Sequence, residues 1–267
     1  MHLTRTQWLQ ALALALLPPQ PAAKNLTTAP DPTTPSLTYS ITIPNTNTNT
    51  NTNASTNTLN PPEDPPRGSG PIYLRLTAPT TMQWISLGQG PDMATANIFI
   101  VYAASATSVT LSPRSGGQGQ PRYNPAANVT LLEGSGIVDG MMVAEVRCED
   151  CWGSWPALPA GGGDGVGEGG EVEAGPGAAS GAGNATAAAA AAAAAATGGG
   201  GFVMDPNGNE TAWFWAYQLG APLHSDDVGA ELGMHDVKGE MVWDLREARF
   251  EVGAGDDELV EGFNPFV

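Results

Sequence analysis

Positive charge is what this sequence has least of. Ten Lys and Arg residues face 27 Asp and Glu, for a formal net charge of -17. Such a surface cannot track a phosphate backbone, so nucleic acid is excluded as a partner. Histidine and cysteine are almost as scarce: His2, His224 and His235, and the single pair Cys148 and Cys151. A structural zinc site needs about four Cys or His ligands, more than one C-x-x-C can offer here. Covalent haem attachment needs His after the second cysteine, where Trp152 stands, and a thioredoxin-like redox pair needs a βαβ setting that this sequence does not show. Cys148 and Cys151 therefore read as a short-loop disulfide of an exported protein. Nucleotide-binding glycine patterns, a P-loop and a G-x-S-x-G elbow are all missing, which removes the usual signatures of cofactor-dependent and hydrolytic enzymes. Long apolar runs are missing too. Trp8 to Leu17 and the alanine tract Ala187 to Ala196 are both too short to span a bilayer.

What is present divides the chain. Residues 1–23 have the pattern of a secretory signal peptide, with a weakly basic start, an apolar run and then Pro18, Pro19 and Pro21. Five N-x-S/T sequons, at Asn25, Asn53, Asn128, Asn184 and Asn209, agree with a secreted, extracellular glycoprotein. Residues 24–70 are dominated by Thr, Asn and Pro and are expected to be a disordered stalk that cannot repay its ordering entropy by burial. Residues 71–250 carry the strands: Ile72 to Thr77, Trp84 to Leu87, Asn97 to Tyr102, Ser108 to Leu111, Asn128 to Leu132, Met141 to Arg147, Ala212 to Tyr217 and Glu240 to Leu245. They are short, mostly alternating and separated by Gly, Pro and Ser clusters, which predicts an all-β antiparallel sandwich. A Gly/Ala-rich insertion at 156–201 interrupts the pattern, and 251–267 is a C-terminal tail. Ser225 is expected to cap a short helical turn ending near Gly233.

Several ordered segments, QWISLGQGPDMATANIFIVYA, VTLSPR, VTLLEGSGIVDGMMVAEVRCEDCW and PLHSDDVGAELGMHDVKGEMVWDL, resemble the cytochrome domain of fungal cellobiose dehydrogenase and related DOMON ferric-reductase-like proteins. The resemblance implies an immunoglobulin-like β-sandwich holding one non-covalent haem b between a methionine and a histidine. Carried onto this sequence, the axial ligands of the haem iron are Met93 and His235, with His224 the rival imidazole. A thioether and imidazole pair raises the haem potential and leaves no position open for oxygen chemistry, so catalytic residues are not expected and the chain is an electron-transfer protein rather than a stand-alone enzyme. The implied redox partners are a flavoenzyme or membrane reductase as donor and a copper oxygenase or ferric iron as acceptor. The flavin dehydrogenase segment that accompanies this domain in cellobiose dehydrogenase is not found in these residues. Gly88 and Gly90, beside Met93, would let the backbone approach a flat ligand.

The competing reading is a non-catalytic carbohydrate-binding or cell-wall-binding sandwich. It requires Trp152, Trp155, Trp213 or Trp215 to line an open cleft for sugar stacking.

Overall fold

Ile72, Leu74, Leu76 and Ala78 alternate with Tyr73, Arg75 and Thr77, and successive side chains of a strand point to opposite faces. One side chain in two must leave water, and the solution is two sheets packed face to face. The computed structural model describes residues 25–45, 70–117, 119–158, 202–205, 208–251 and 263–267. The first sheet runs in the order β1 (Leu26–Thr28), β2 (Thr38–Asn45), β3 (Ile72–Pro79), β10 (Met141–Cys148), β8 (Val129–Leu131), with β13 (Arg249–Glu251) on β2 and β9 (Gly136–Val138) on β10. The second runs β12 (Val237–Asp244), β11 (Glu210–Leu219), β4 (Met82–Gln89), β5 (Asn97–Ala103), β6 (Val109–Ser115), β7 (Arg122–Tyr123). Pairing is antiparallel throughout, except that β13 lies parallel to β2. Among the described residues the single helix, α1 (Leu245–Ala248), is short and is capped at its start by Asp244. The expected all-β sandwich is the observed class.

Between the sheets lies the core. Leu74, Leu76, Met142 and Val146 from the first sheet meet Ile85, Leu87, Phe99, Trp213 and Trp243 from the second, all essentially without solvent exposure. Trp213 and Trp243 pack with their rings tilted by 53° and their centroids 5.0 Å apart. Tyr39 crosses from one sheet to the other and donates its hydroxyl to the Ser86 carbonyl at 2.9 Å. The Tyr39 phenol is held far above its ordinary titration range because burial disfavours the phenolate.

Two segments depart from the sequence reading. Residues 25–45 were expected within a disordered stalk, yet they form β1 and β2, and Leu37, Tyr39, Ile41 and Ile43 enter the core. Their period-two pattern is short, but it pairs along β3 from Thr38 to Thr42, so the backbone donors and acceptors are satisfied at the same time as the apolar side chains. The chain from Gly220 to Asp236 has no helix near Ser225. There Ser225 Oγ accepts from Asp227 N at 3.2 Å and only a local turn results. Residues 1–23, expected to be a signal peptide, residues 46–69 and residues 159–201 of the insertion lie outside the described residues. Part of the C-terminal tail is described, and it packs. Phe263 meets Tyr73 edge-on at 5.5 Å, and Arg75 lies 6.0 Å from the Phe266 ring. Asn264 Nδ2 donates to the Glu133 carbonyl at 2.7 Å and to Glu145, a buried carboxylate also paired with Arg75 at 3.3 Å.

Asp31 shows how the β1–β2 connection is pinned. Its carboxylate accepts from the Thr33 hydroxyl at 2.7 Å, the Thr33 amide at 2.9 Å and the Tyr217 hydroxyl at 2.8 Å. The Thr33 hydroxyl first, and Tyr217 second, hold its pKa below the ordinary carboxylate value against the opposing effect of burial. A carboxylate lowered in this way stabilises the fold above its unfolded pKa of about 4, and the contribution disappears as pH falls through the folded value. Asp31→Asn is therefore expected to lower the urea midpoint at pH 7 and to converge with the wild type toward pH 2, as followed by tryptophan fluorescence.

Candidate functional site

Met93 sits in the loop that joins β4 to β5, and the loop is shaped by its own short-range chemistry. Gly90 adopts φ +104°, a left-handed conformation that favours glycine, and donates its amide to the Ala212 carbonyl at 2.9 Å. Asp92 accepts from the Ala94 amide at 2.8 Å, closing an Asx turn around Met93. On the far side, Phe202 N donates to the Thr95 carbonyl at 2.7 Å and Gly116 N to the Ala96 carbonyl at 2.8 Å. A Cβ on Gly116 would fall 1.6 Å from the Met93 carbonyl oxygen, so only glycine permits this approach. The backbone of Met93 is thus closely held while its side chain is 38% exposed.

The foot of the loop is a buried amide pair. Asn97 Nδ2 donates to Gln89 Oε1 at 2.8 Å and to the Gly153 carbonyl at 3.0 Å, and Asn97 Oδ1 accepts from the Trp155 amide at 3.1 Å. Gln89 Nε2 donates to the Cys151 carbonyl at 2.8 Å and reaches Met204 Sδ at 3.3 Å. Cys148 and Cys151 form the disulfide expected from their spacing, and both are buried.

His235 belongs to the long connection from β11 to β12. That connection crosses the outer face of the second sheet and is stitched down by side chains donating to its carbonyls. Thr110 reaches Ser225 O at 2.7 Å, Ser112 reaches Val228 O at 2.5 Å, Arg114 reaches Ala230 O at 2.6 Å and Gln120 reaches Leu232 O at 3.1 Å. Tyr102 donates to Asp227 O as well. Desolvation lowers the pKa of the buried Arg114 guanidinium, with Tyr102 opposing it. His235 is half-buried just before β12, beside Asp236, which accepts from the Leu219 amide at 2.7 Å. His224 is exposed, with φ 50°.

Register fixes how these pieces relate. Gln89 lies opposite Trp213 on β11, whereas β12 begins with Val237 opposite Tyr217. The Met93 loop and the His235 segment therefore join the sheet at opposite ends of a stretch of β11 about 13 Å long, at ~3.3 Å per residue. Between them the outer face is apolar: Trp84, Ile98, Ile100, Tyr102 and Ala216 form the bed, and Leu232 of the crossing connection packs on it. Among the described residues no hydrogen bond or ion pair engages the Met93 thioether or the His235 imidazole. A soft thioether, a free imidazole and an apolar bed between them fit a haem in their chemistry.

Two expectations about the surroundings change. The space over Gly88 is taken by Phe214, whose ring would lie 2.0 Å from an added Cβ, and Phe202 stands 2.9 Å from one on Gly90. The glycines admit aromatic rings of the protein itself. The Trp213 to Tyr217 run divides by alternation: Trp213, Trp215 and Tyr217 enter the core, while Phe214 faces the outer bed. Phe214 is the bed residue that was hardest to single out, since its only signal was parity within the run. The carbohydrate reading loses its platform, because Trp155, Trp213 and Trp215 are buried and Trp152 is half-buried with its Nε1 donating to the Gly70 carbonyl at 3.0 Å.

Gly88→Ala must displace the Phe214 ring and is expected to cost about 1–3 kcal/mol by overpacking. The double variant Gly88→Ala/Phe214→Ala should recover part of that loss, and a urea-denaturation cycle of the two single variants and the double measures the coupling.

The sequence profile of the family described as the cytochrome domain of cellobiose dehydrogenase matches residues 31–193. Met93 lies within the matched span and His235 beyond it. No curated protein sequence is matched. Among solved structures, the fold is similar to the cytochrome domain of Myriococcum thermophilum cellobiose dehydrogenase, at 13% identity and a TM-score of 0.52 over 88% of this chain and 86% of that one. It is also similar to the cytochrome b domain of pyranose dehydrogenase from Coprinopsis cinerea, at 15% identity and a TM-score of 0.51 over 80% of this chain and 79% of that one. The profile spans more than half of the chain, and on that ground the protein belongs to the family of the cytochrome domain of cellobiose dehydrogenase.

Proposed function

We propose that this chain is an extracellular haem b electron-transfer domain with Met93 and His235 as the axial ligands of the iron. Family membership is the observation that carries the reading. The apolar bed between the two ligand-bearing connections supports it. When bound, the haem supplies a one-electron redox couple, and a thioether and imidazole pair sets a raised potential and keeps both axial positions filled.

The protein's own part is to hold the donors and to exclude water. The Met93 loop presents a sulfur from a pinned backbone, and the β11–β12 connection presents an imidazole from a segment tied to β5 by Tyr102 and to β6 by Ser112 and Arg114 through partly buried hydrogen bonds. Trp84, Ile98, Ile100 and Phe214 keep the intervening face apolar, which shields a redox centre from solvent and tunes its potential. No described helix is long and apolar enough to cross a membrane. The buried disulfide and the exposed sequon Asn128 suit export. With a net charge of -17, the domain favours encounters with a partner that offers a cationic face, and the rate of those encounters falls as salt is added. The donor is a flavoenzyme or membrane reductase, and the acceptor is a copper oxygenase or ferric iron.

Titrating the purified protein with haem is expected to give the sharp bands of low-spin, six-coordinate iron at one haem per chain. Met93→Ala and His235→Ala should each abolish those bands, and His224→Ala should leave them intact. A wild-type protein that stays colourless after haem addition overturns the reading.

A further inference from the structure

We infer that Gln89 and Asn97 are positioning residues for Met93, forming a buried amide clamp that fixes both ends of the methionine loop to the disulfide-closed turn. The inference rests on the haem reading for its consequence at iron, and on the hydrogen-bond geometry alone for the clamp itself.

Gln89 is the last residue of β4 and Asn97 the first of β5, so the two side chains bracket the loop. Both are fully withdrawn from water, at 0% and 2% exposure. Two neighbouring strands of an antiparallel sheet need no such pair to hold their register, since the backbone ladder already sets Gly88 opposite Ile98. A buried amide costs free energy unless its donors and acceptors are matched, and these two are matched only in combination. Gln89 gives its carbonyl oxygen to Asn97 and its NH2 to the Cys151 carbonyl, while Asn97 spends its second donor on the Gly153 carbonyl and takes the Trp155 amide. Remove one side chain and the other is left buried with an open valence.

The backbone partners all belong to residues 151–155, which begin at the turn closed by the bond between Cys148 and Cys151. Trp155 then packs edge-on against Phe99 of β5 at 5.2 Å, and the Trp152 carbonyl accepts from the Met204 amide at 3.1 Å, whose sulfur meets Gln89. The loop foot, the disulfide turn and the 202–204 segment form one closed circuit. Its effect is to limit how far residues 90–96 can swing. For a metal ligand this matters, because a weak thioether bond survives only if the loop does not have to be ordered at the moment of binding.

The test uses hydrogen–deuterium exchange of the full chain without added haem, together with visible spectra and redox titration after haem is added. Gln89→Ala and Asn97→Ala are each expected to speed exchange of the 90–96 amides about tenfold or more, with β3 amides unchanged. In the haem-loaded protein the same variants should show a fraction of high-spin iron and a midpoint potential shifted toward that of Met93→Ala. Gln89→Met and Asn97→Ser, milder in volume, serve where an alanine variant does not fold. Tyr39→Phe removes a buried inter-sheet hydrogen bond away from the clamp and should move stability without moving the 90–96 exchange or the spectrum. Unchanged exchange in the clamp variants overturns the inference, as does faster exchange with an unaltered spectrum and potential. A wild-type chain that binds no haem sinks the haem reading, and the exchange data then decide the clamp by themselves.

Discussion

The inward-facing stripe of β11 is the contact on which the two sheets depend. Trp213, Trp215 and Tyr217 occupy every second position of one strand and fill the space between the layers. Trp213 reaches Trp243 of β12, and Tyr217 reaches Asp31 of the β1–β2 connection. Large aromatic side chains bring more buried area per residue than any others, and here they lie side by side along one strand. Once that parity is set, Phe214 and Ala216 have no choice but to face outward. The core and the bed of the candidate site are therefore two consequences of the same alternation.

The parts of the fold that were legible in the sequence are those where a run of bulky apolar residues fills a strand length. Asn97 to Tyr102 and Ala212 to Tyr217 could be read directly, because each places several β-branched or aromatic residues within one strand length. β2 was not legible in the same way. Leu37, Tyr39, Ile41 and Ile43 do alternate, but they stand in a stretch whose composition of Thr, Asn and Pro speaks for disorder, and a local average hides four correctly spaced residues. The turn after Ser225 misled for a different reason. Ser225 has the capping chemistry of a helix start, but the carbonyls downstream are claimed by Thr110, Ser112, Arg114 and Gln120 from distant strands. Tertiary donors outbid a local helix, and nothing in the adjacent residues signals this.

At the site, Met93 and His235 were named through resemblance and not through any property of their neighbours. Their surroundings had to come from the structure. Phe214 over Gly88 and Gly116 against the Met93 carbonyl are contacts between residues far apart in the chain, and a glycine in a sequence does not say which ring or carbonyl fills the space it leaves. The Gln89 and Asn97 pair is similar: each residue is unremarkable alone, and the pair has meaning only once both are buried against the turn at Cys151.

The first sheet draws on both ends of the described chain. β1 and β2 come from its beginning, β13 and residues 263–267 from its end, and Asn25 Nδ2 donates to the Pro265 carbonyl at 3.3 Å. β4, β5, β6 and β7, by contrast, follow one another in sequence as neighbours in space. During synthesis the second sheet can assemble most of its ladder early, whereas the first must wait for the last residues to emerge before its outer face is covered. A pairing that bridges nearly the whole chain is slow to find, and until it forms Tyr73 and Glu145 lack their cover. That delay sets how long the half-built sheet must be kept from pairing with other chains.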